Sequence, residues 1–278
     1  MPILFALVGP TGVGKTELGM KLAKERQAEV ICMDSRQVYE GFRIGTAQPT
    51  AEERAAVKHH LVDFFSPRES YSAGLFCEQV KDVLAAAPET NFIIVGGSGL
   101  YLKSLSEGLP ALPKPSPEIR ERLKAEKESE GLLSQYKRAT EIDPEAMLKI
   151  KEGDAQRIWR VLEVYEQTKE LFSSLSRHRV GGLGAIETRL LDLPAPELRA
   201  RQAARFEAMI AAGWLEEVEN LSKVYPKTCP AFESLGYAEL REYLEHGTDF
   251  KAIRGQILQR QWQYTRRQRT WNRHQISA

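Results

Sequence analysis

A chain of 278 residues, 42% hydrophobic and 28% charged, has the composition of a globular protein with a sizeable core, and its length suits one large domain or one domain carrying an insert. No apolar run approaches the roughly 18 residues a membrane span needs, Met1-Pro2-Ile3-Leu4-Phe5 lacks the marks of a secretory leader, and Cys32, Cys77 and Cys229 are too scattered for a disulfide framework or a zinc site; a cytoplasmic protein with reduced core thiols is expected. Formal net charge is only +1, yet the stretch from Lys251 to Ala278 holds one Lys and six Arg with no acidic residue, an asymmetry that points to a polyanionic partner.

The apolar run Ile3 to Val8 leads into Gly9-Pro10-Thr11-Gly12-Val13-Gly14-Lys15-Thr16, and an amphipathic segment from Glu17 to Arg26 follows. Strand, phosphate loop and helix are predicted. Glycines at this spacing let backbone N–H groups turn toward one point, where the helix N-terminus adds positive potential. Lys15 would reach outer phosphate oxygens, and the Thr16 hydroxyl would ligate a Mg2+ bridging them. The second apolar run, Glu29 to Met33, reads as a parallel strand ending in Asp34-Ser35-Arg36-Gln37, so Asp34 would point into the crevice at the carboxyl ends of the strands. A carboxylate there has three candidate jobs: water-mediated contact to Mg2+, general base, or a cap on the next turn.

Gly41 to Pro49 is a loop by its glycines and proline. The pair His59-His60 is read as structural, because adjacent side chains point apart and no third ligand is suitably spaced. Ser72 is a candidate helix cap ahead of the stripe Leu75, Phe76, Val80, Val83 and Leu84. A third strand, Asn91 to Val95, runs into Gly96-Gly97-Ser98-Gly99, where small residues allow close approach to a ligand and the Ser98 hydroxyl can hydrogen-bond it.

From Leu109 onward Pro110, Pro113, Pro115 and Pro117 make a hinge-like stretch, followed by a highly charged helical pattern. Within it, Ile158, Val161, Leu162 and Tyr165 form an apolar stripe that Gln156, Arg157 and Arg160 mostly avoid. The chain returns through Val180 to Gly184 and a strand from Glu187 to Leu193, then a long helical segment from Pro196 to Asn220 on which Arg201 and Arg205 are i,i+4 neighbours able to hold a diphosphate. Ser234 to Tyr237 reads as a turn. The tail from Gln256 to Arg273 interleaves Trp262, Tyr264 and Trp271 with arginines, which suits either nucleic-acid stacking or docking of a terminal helix on the core. The expected fold is α/β: a P-loop NTPase-like parallel sheet core flanked by helices, residues 1–113 and 185–278, with an all-helical insertion at 114–184.

Taken in order, GPTGVGKT (Gly9 to Thr16), DSRQVY (Asp34 to Tyr39), GTAQP (Gly45 to Pro49), HHLVD (His59 to Asp63), VGGSGLY (Val95 to Tyr101), QRIWRVLEV (Gln156 to Val164), Arg205-Phe206, LGY (Leu235 to Tyr237) and RQRTW (Arg267 to Trp271) resemble the tRNA dimethylallyltransferases, also called tRNA isopentenyltransferases. That resemblance implies transfer of a dimethylallyl group from dimethylallyl diphosphate to N6 of the adenosine just 3′ of the anticodon, with Mg2+ as cofactor. It implies that the phosphate loop and Arg205 hold diphosphate, that Asp34 is the general base, and that Ser98 touches substrate. It places tRNA contacts at Asp34, Ser35, Arg36, Gln37, Ser98, Arg120, Gln156, Arg157, Ile158, Trp159, Arg160, Ser234, Leu235, Gly236 and Tyr237, with the insertion binding the anticodon stem-loop of a monomeric enzyme. Ala238 stands where the family often has a basic residue, Ser98 where it often has threonine, and no C-terminal zinc finger of the eukaryotic type is present, so the bacterial type fits better. The residues alone leave open a small-molecule kinase, a prenyltransferase of free adenine nucleotides, and an RNA-binding protein with a relic loop.

Overall fold

A computed structural model describes residues 4–275. The first apolar run is strand β1 (Leu4–Val8), buried over four of its five residues as a strand covered on both faces requires. The glycine loop and α1 (Lys15–Glu25) follow, then β2 (Ala28–Met33), α2 (Ala51–Ala56), β3 (His59–His60), α3 (Ala73–Ala86), β4 (Asn91–Gly96) and α4 (Gly99–Glu107). Local chemistry sets the helix starts. Thr50 and Glu53 form a reciprocal capping box on α2, and the Ser72 hydroxyl accepts from the Leu75 N–H at 3.2 Å on α3.

Residues Glu107–Leu183 form a compact unit of their own, built from β5 (Leu109–Pro110), α5 (Pro117–Glu130), α6 (Leu132–Ile142), α7 (Pro144–Met147), α8 (Ala155–Thr168), α9 (Phe172–Leu175) and β6 (Arg179–Val180). Leu123, Ala139, Met147, Ile158, Val161 and Leu162 make its core. This unit begins at Glu107, not at residue 114, because Leu109 and Pro110 pair antiparallel with Val180 and Arg179 of the same unit. Its centre holds a wholly buried carboxylate, Glu163, which accepts from the Ser116 N–H at 2.6 Å, Arg120 Nε at 3.3 Å and Arg160 Nη1 at 2.8 Å. A buried charge survives only when satisfied this fully.

The other unit resumes at Gly184 with β7 (Glu187–Leu190), α10 (Ala195–Ala211), α11 (Trp214–Val224), a 3-10 turn at Pro230–Glu233, α12 (Tyr237–His246) and α13 (Phe250–Gln275). The single helical segment expected over 196–220 is two helices, since Gly213 takes φ of 96°, a left-handed value that ends α10 and starts α11. Five strands form one parallel sheet in the order β3-β2-β4-β1-β7. Val8 pairs with Gly96 and Leu190, and Met33 pairs with Gly96, so four strands end level. The next residues, Gly9, Asp34, Gly97 and Leu191, therefore emerge side by side along the carboxyl edge. Beneath them Phe5, Leu7, Val30, Cys32 and Ile93 pack with Ala23 of α1. The three cysteines are buried thiols, and among the described residues no helix is long and apolar enough to cross a membrane.

Trp214, 2% exposed, is pressed between two glycines: a Cβ added at Gly45 would lie 2.1 Å from its Nε1, and one at Gly236 would lie 2.3 Å from its ring. Gly45→Ala should therefore destabilise the protein by about 1–3 kcal/mol, read as a lower urea midpoint at unchanged slope.

Candidate active site

The loop after β1 turns on Gly12 (φ 86°) and Gly14 (φ 95°), which leaves α1 with no side-chain cap. Uncapped N–H groups at a helix start are the donors an anion needs. Gly9 is required by crowding, because a Cβ there would sit 2.5 Å from the Leu191 carbonyl of the strand edge alongside. Lys15 folds back and donates from Nζ to the Pro10 carbonyl at 2.7 Å, and Thr16 stands exposed at the first turn of α1. From α10, Arg205 donates through Nη1 to the Thr11 hydroxyl at 3.3 Å, and Arg201 approaches Gly14 while pairing with Glu197 at 2.9 Å.

Asp34 leaves β2 beside this loop, half-buried. Its Oδ1 accepts from the Arg36 N–H at 2.8 Å and the Gln37 N–H at 3.4 Å, so of its three expected jobs the capping one is filled by that oxygen. Those bonds fix the carboxylate in orientation. The charges around it are coupled: burial pulls Lys15 down to about 8, with Asp34 working against the shift and Arg205 adding to it. Burial likewise lowers Arg205, opposed by Asp34. Tyr264 of α13 is pushed up to about 12, mainly by burial and then by Asp34, and Tyr101 of α4 is raised for the same reasons. One carboxylate, two cations and two neutral phenols thus share the crevice at the carboxyl edge, and an arriving anion would relieve the crowding of Lys15 and Arg205.

The family model described as IPP transferase matches residues 37–275. The chain belongs to the IPP transferase family. It is 39% identical to a tRNA dimethylallyltransferase of Burkholderia thailandensis over 96% of this chain and 86% of that protein, and 39% identical to one of Neisseria meningitidis over 98% and 90%. Among solved structures it is similar to a tRNA isopentenylpyrophosphate transferase of Bacillus halodurans, with 30% identity, TM-score 0.70 and coverage of 98% of this chain and 87% of that one. It is also similar to a eukaryotic dimethylallyltransferase acting on tRNA, with 25% identity, TM-score 0.82 and coverage of 98% and 70%.

For this member of the IPP transferase family the expected site residues divide into groups. Gly9 to Thr16, Asp34, Ser98 and Arg205 lie in the unit that contains the sheet, at or beside its carboxyl edge. Ser35 is half-buried on the turn after Asp34. Arg36 is spent partly on the Pro230 carbonyl and Glu233, while Gln37 donates from Nε2 to the Thr46 and Ala47 carbonyls, fastening the Gly45 loop. Ser234 and Tyr237, expected at the RNA surface, are 3% and 0% exposed. Tyr237 works inward: its hydroxyl donates to Glu217 at 2.6 Å and accepts from the Gly45 N–H at 3.1 Å. Leu235 is half-buried and Gly236 faces Trp214.

Arg120 and Gln156 to Arg160 belong to the insertion unit. Ile158 is core, Trp159 donates to Gln135 Oε1 at 2.8 Å, and Arg120 and Arg160 are held by Glu163. Gln156 and Arg157 are exposed, Arg157 pairing with Asp154. The aromatic residues of the tail dock α13: Arg199 lies 4.4 Å over Trp262, and Trp271 sits against Gly99 and Lys103. Arg254, Arg260 and Arg269 pair with Glu207, Glu239 and Asp192, whereas Lys251, Arg266, Arg267 and Arg273 are exposed.

Sequence reading missed Gln202, Thr265 and Gln268, which tie the phosphate loop to α10 and α13, and Glu217, which accepts from the Arg43 and Ile44 N–H groups at 3.0 and 2.8 Å. A signal existed for Gln202. It falls in the buried register Leu198, Gln202, Phe206, where an apolar residue belongs unless a polar partner waits.

The Lys15 shift has a sign that can be tested in binding. Below pH 8 the ammonium is charged and attracts a diphosphate; above pH 8 the free protein has lost that proton and must take one up to bind. The affinity advantage of the unmodified protein over Lys15→Met for pyrophosphate should shrink as pH rises through 8, by up to about tenfold per pH unit, in titration calorimetry of the two proteins side by side.

Proposed function

We propose that this protein transfers the dimethylallyl group of dimethylallyl diphosphate to N6 of the adenosine immediately 3′ of the anticodon in tRNA, releasing diphosphate. The observation that carries the reading is the level ending of β1, β2 and β4, which puts a cationic anion cradle and the Asp34 carboxylate on one edge. Membership of the IPP transferase family and the names of its relatives supply the substrates.

In this reading the bond between C1 of the prenyl group and the bridging diphosphate oxygen breaks, and its electron pair leaves with the diphosphate. Lys15, Arg205 and the N–H groups of the loop face that growing negative charge, where fixed dipoles and cations lower a barrier most. The N6 lone pair forms the new C–N bond. Because that lone pair is delocalised into the adenine ring, the amine attacks well only as its proton departs, and Asp34 Oδ2, the oxygen not engaged in capping, accepts it. A base stacked in an anticodon loop cannot reach such a crevice, so the adenosine is turned out to enter it. Ser98, at the end of β4, offers its hydroxyl to that base. Exposed Arg266, Arg267 and Arg273 on α13 and Arg157 on α8 are the RNA-facing cations.

The donor set suits Mg2+. Thr16 and Asp34 are hard oxygen donors, and among the described residues no group of three His, Cys, Asp or Glu could form an all-protein cage. Thr16 would hold the ion, with the diphosphate and water completing its shell, the usual habit of Mg2+. When bound it supplies neutralisation of the diphosphate charge. A monomer in the cytoplasm is the working state of this proposal.

Incubating the protein with radiolabelled dimethylallyl diphosphate, Mg2+ and unmodified tRNA should put label in the tRNA. Asp34→Asn should cut kcat by roughly 10²–10⁴ while KM for dimethylallyl diphosphate changes little. Label appearing in AMP but not tRNA would move the acceptor to free nucleotides, and phosphate transfer from ATP with no prenyl transfer would make the protein a kinase.

A further inference from the structure

Helix α13 docks on the core through a face that begins apolar, at Ile253 and Ile257, and then turns polar. Thr265 and Gln268, about one helical turn apart, are 0% and 7% exposed. Burying two polar side chains where leucines would dock the helix is costly unless each has a partner that needs it.

Gln268 has two such partners, on different loops. Its Oε1 accepts from the Thr11 N–H at 3.0 Å, in the middle of the phosphate loop, and its Nε2 donates to the Gly97 carbonyl at 3.1 Å, in the loop after β4. The fit leaves no slack: a Cβ added at Gly97 would lie 2.3 Å from that Nε2. A parallel tie runs from Thr265 through Gln202, whose Nε2 donates to the Thr265 hydroxyl at 2.6 Å and to the Thr11 carbonyl at 3.3 Å. Thr11 is thus held at its N–H, its carbonyl and, through Arg205, its hydroxyl.

We propose that Gln268 is a positioning residue whose amide locks the phosphate loop and the Gly97–Ser98 loop into one fixed mutual arrangement, so that a diphosphate on the first and an acceptor on the second are presented at attack distance. What the two loops bind rests on the function proposed above. The lock itself does not. A rigid amide spanning two glycine-rich loops removes the freedom glycine brings, and misplacement of reacting groups by about 1 Å costs on the order of a hundredfold in rate. Without Gln268 the Thr11 N–H and the Gly97 carbonyl lose this partner at once.

Gln268→Met keeps length and volume and removes both bonds. It should weaken pyrophosphate binding about tenfold and lower kcat by at least as much, with KM for tRNA unchanged. Gln268→Glu supplies a readout that mere docking of α13 would not move. As a carboxylate it can accept from Thr11 but cannot donate to Gly97; once protonated it does both. Its kcat relative to the unmodified protein should rise as pH is lowered, while the ratio for Gln268→Met stays flat; the comparison is made below pH 7, where Lys15, pulled down to about 8, is charged and Tyr264, which hydrogen-bonds Gln268 and is pushed up to about 12 by burial and then by Asp34, keeps its proton. Gly97→Ala displaces the same amide, so its effect on pyrophosphate affinity should be smaller in a Gln268→Met background than alone.

Gln268→Met that binds pyrophosphate like the unmodified protein, additive effects of the two substitutions, or a flat pH ratio for Gln268→Glu would each overturn the proposal. If Gln268→Met fails to fold, the Gly97→Ala affinity and the Gln268→Glu ratio decide it. Pyrophosphate binding without any prenyl transfer by the unmodified protein would refute the proposed function and leave the binding comparison to judge the lock.

Discussion

Parallel strands that end level are the constraint on which this molecule depends. Because Val8, Met33, Gly96 and Leu190 stand in register, the glycine-rich loop after β1, the loop that carries Asp34 and the loop that carries Ser98 leave the sheet together. Close quarters then decide the electrostatics. At Lys15 the loss of hydration outweighs the attraction of Asp34, and Arg205 adds repulsion, so two cations are held with less compensation than they would have in water. In the function proposed above, a diphosphate would supply what is missing. That is preorganisation in the physical sense: the cost of assembling the charges is met by folding, before substrate arrives.

Polar ties hold the loops where hydrophobic packing cannot, since glycine loops have little surface to pack. Gln202, Gln268 and Thr265 fix the phosphate loop; Glu217, Tyr237 and Gln37 fix the Gly45 loop; Asp34 fixes its own turn. Most of these donors and acceptors come from α10 to α13, the C-terminal helices. Their arginines therefore have two fates. Those paired with Glu207, Glu239 and Asp192 bind the helices to the core, and those left exposed give the protein its basic edge. The insertion unit repeats the logic around Glu163, a buried acid that turns Arg120 and Arg160 into framework.

Much of this was legible in the sequence because it rests on local rules. The phosphate loop announces itself by spacing, the buried strands by unbroken apolar runs, and Asp34 by standing at the end of one. Other features were not legible, for identifiable reasons. Ser234 to Tyr237 read as a turn, and nothing local shows that Trp214, started on its helix by Gly213, packs against that turn and that Ser234 and Tyr237 are buried. Pro110 suggested a hinge, but it lies in a short antiparallel pair with Arg179, an edge position where the N–H that proline lacks is not needed. Gln268 was invisible because its partners are 257 and 171 residues away in sequence. A polar residue in an apolar register does not say which partner it meets.

In the proposed function the phosphate loop stabilises a departing diphosphate instead of presenting a phosphoryl group for attack. The most direct measurement places oxygen-18 in the bridging position between C1 and the diphosphate of dimethylallyl diphosphate and follows the label through one turnover with tRNA by phosphorus NMR and mass spectrometry. Cleavage at carbon gives intact diphosphate that retains the bridging label, and prenylated adenosine free of it. Label left on dimethylallyl alcohol, with the diphosphoryl group transferred to RNA or water, would mean cleavage at phosphorus and would rule that chemistry out.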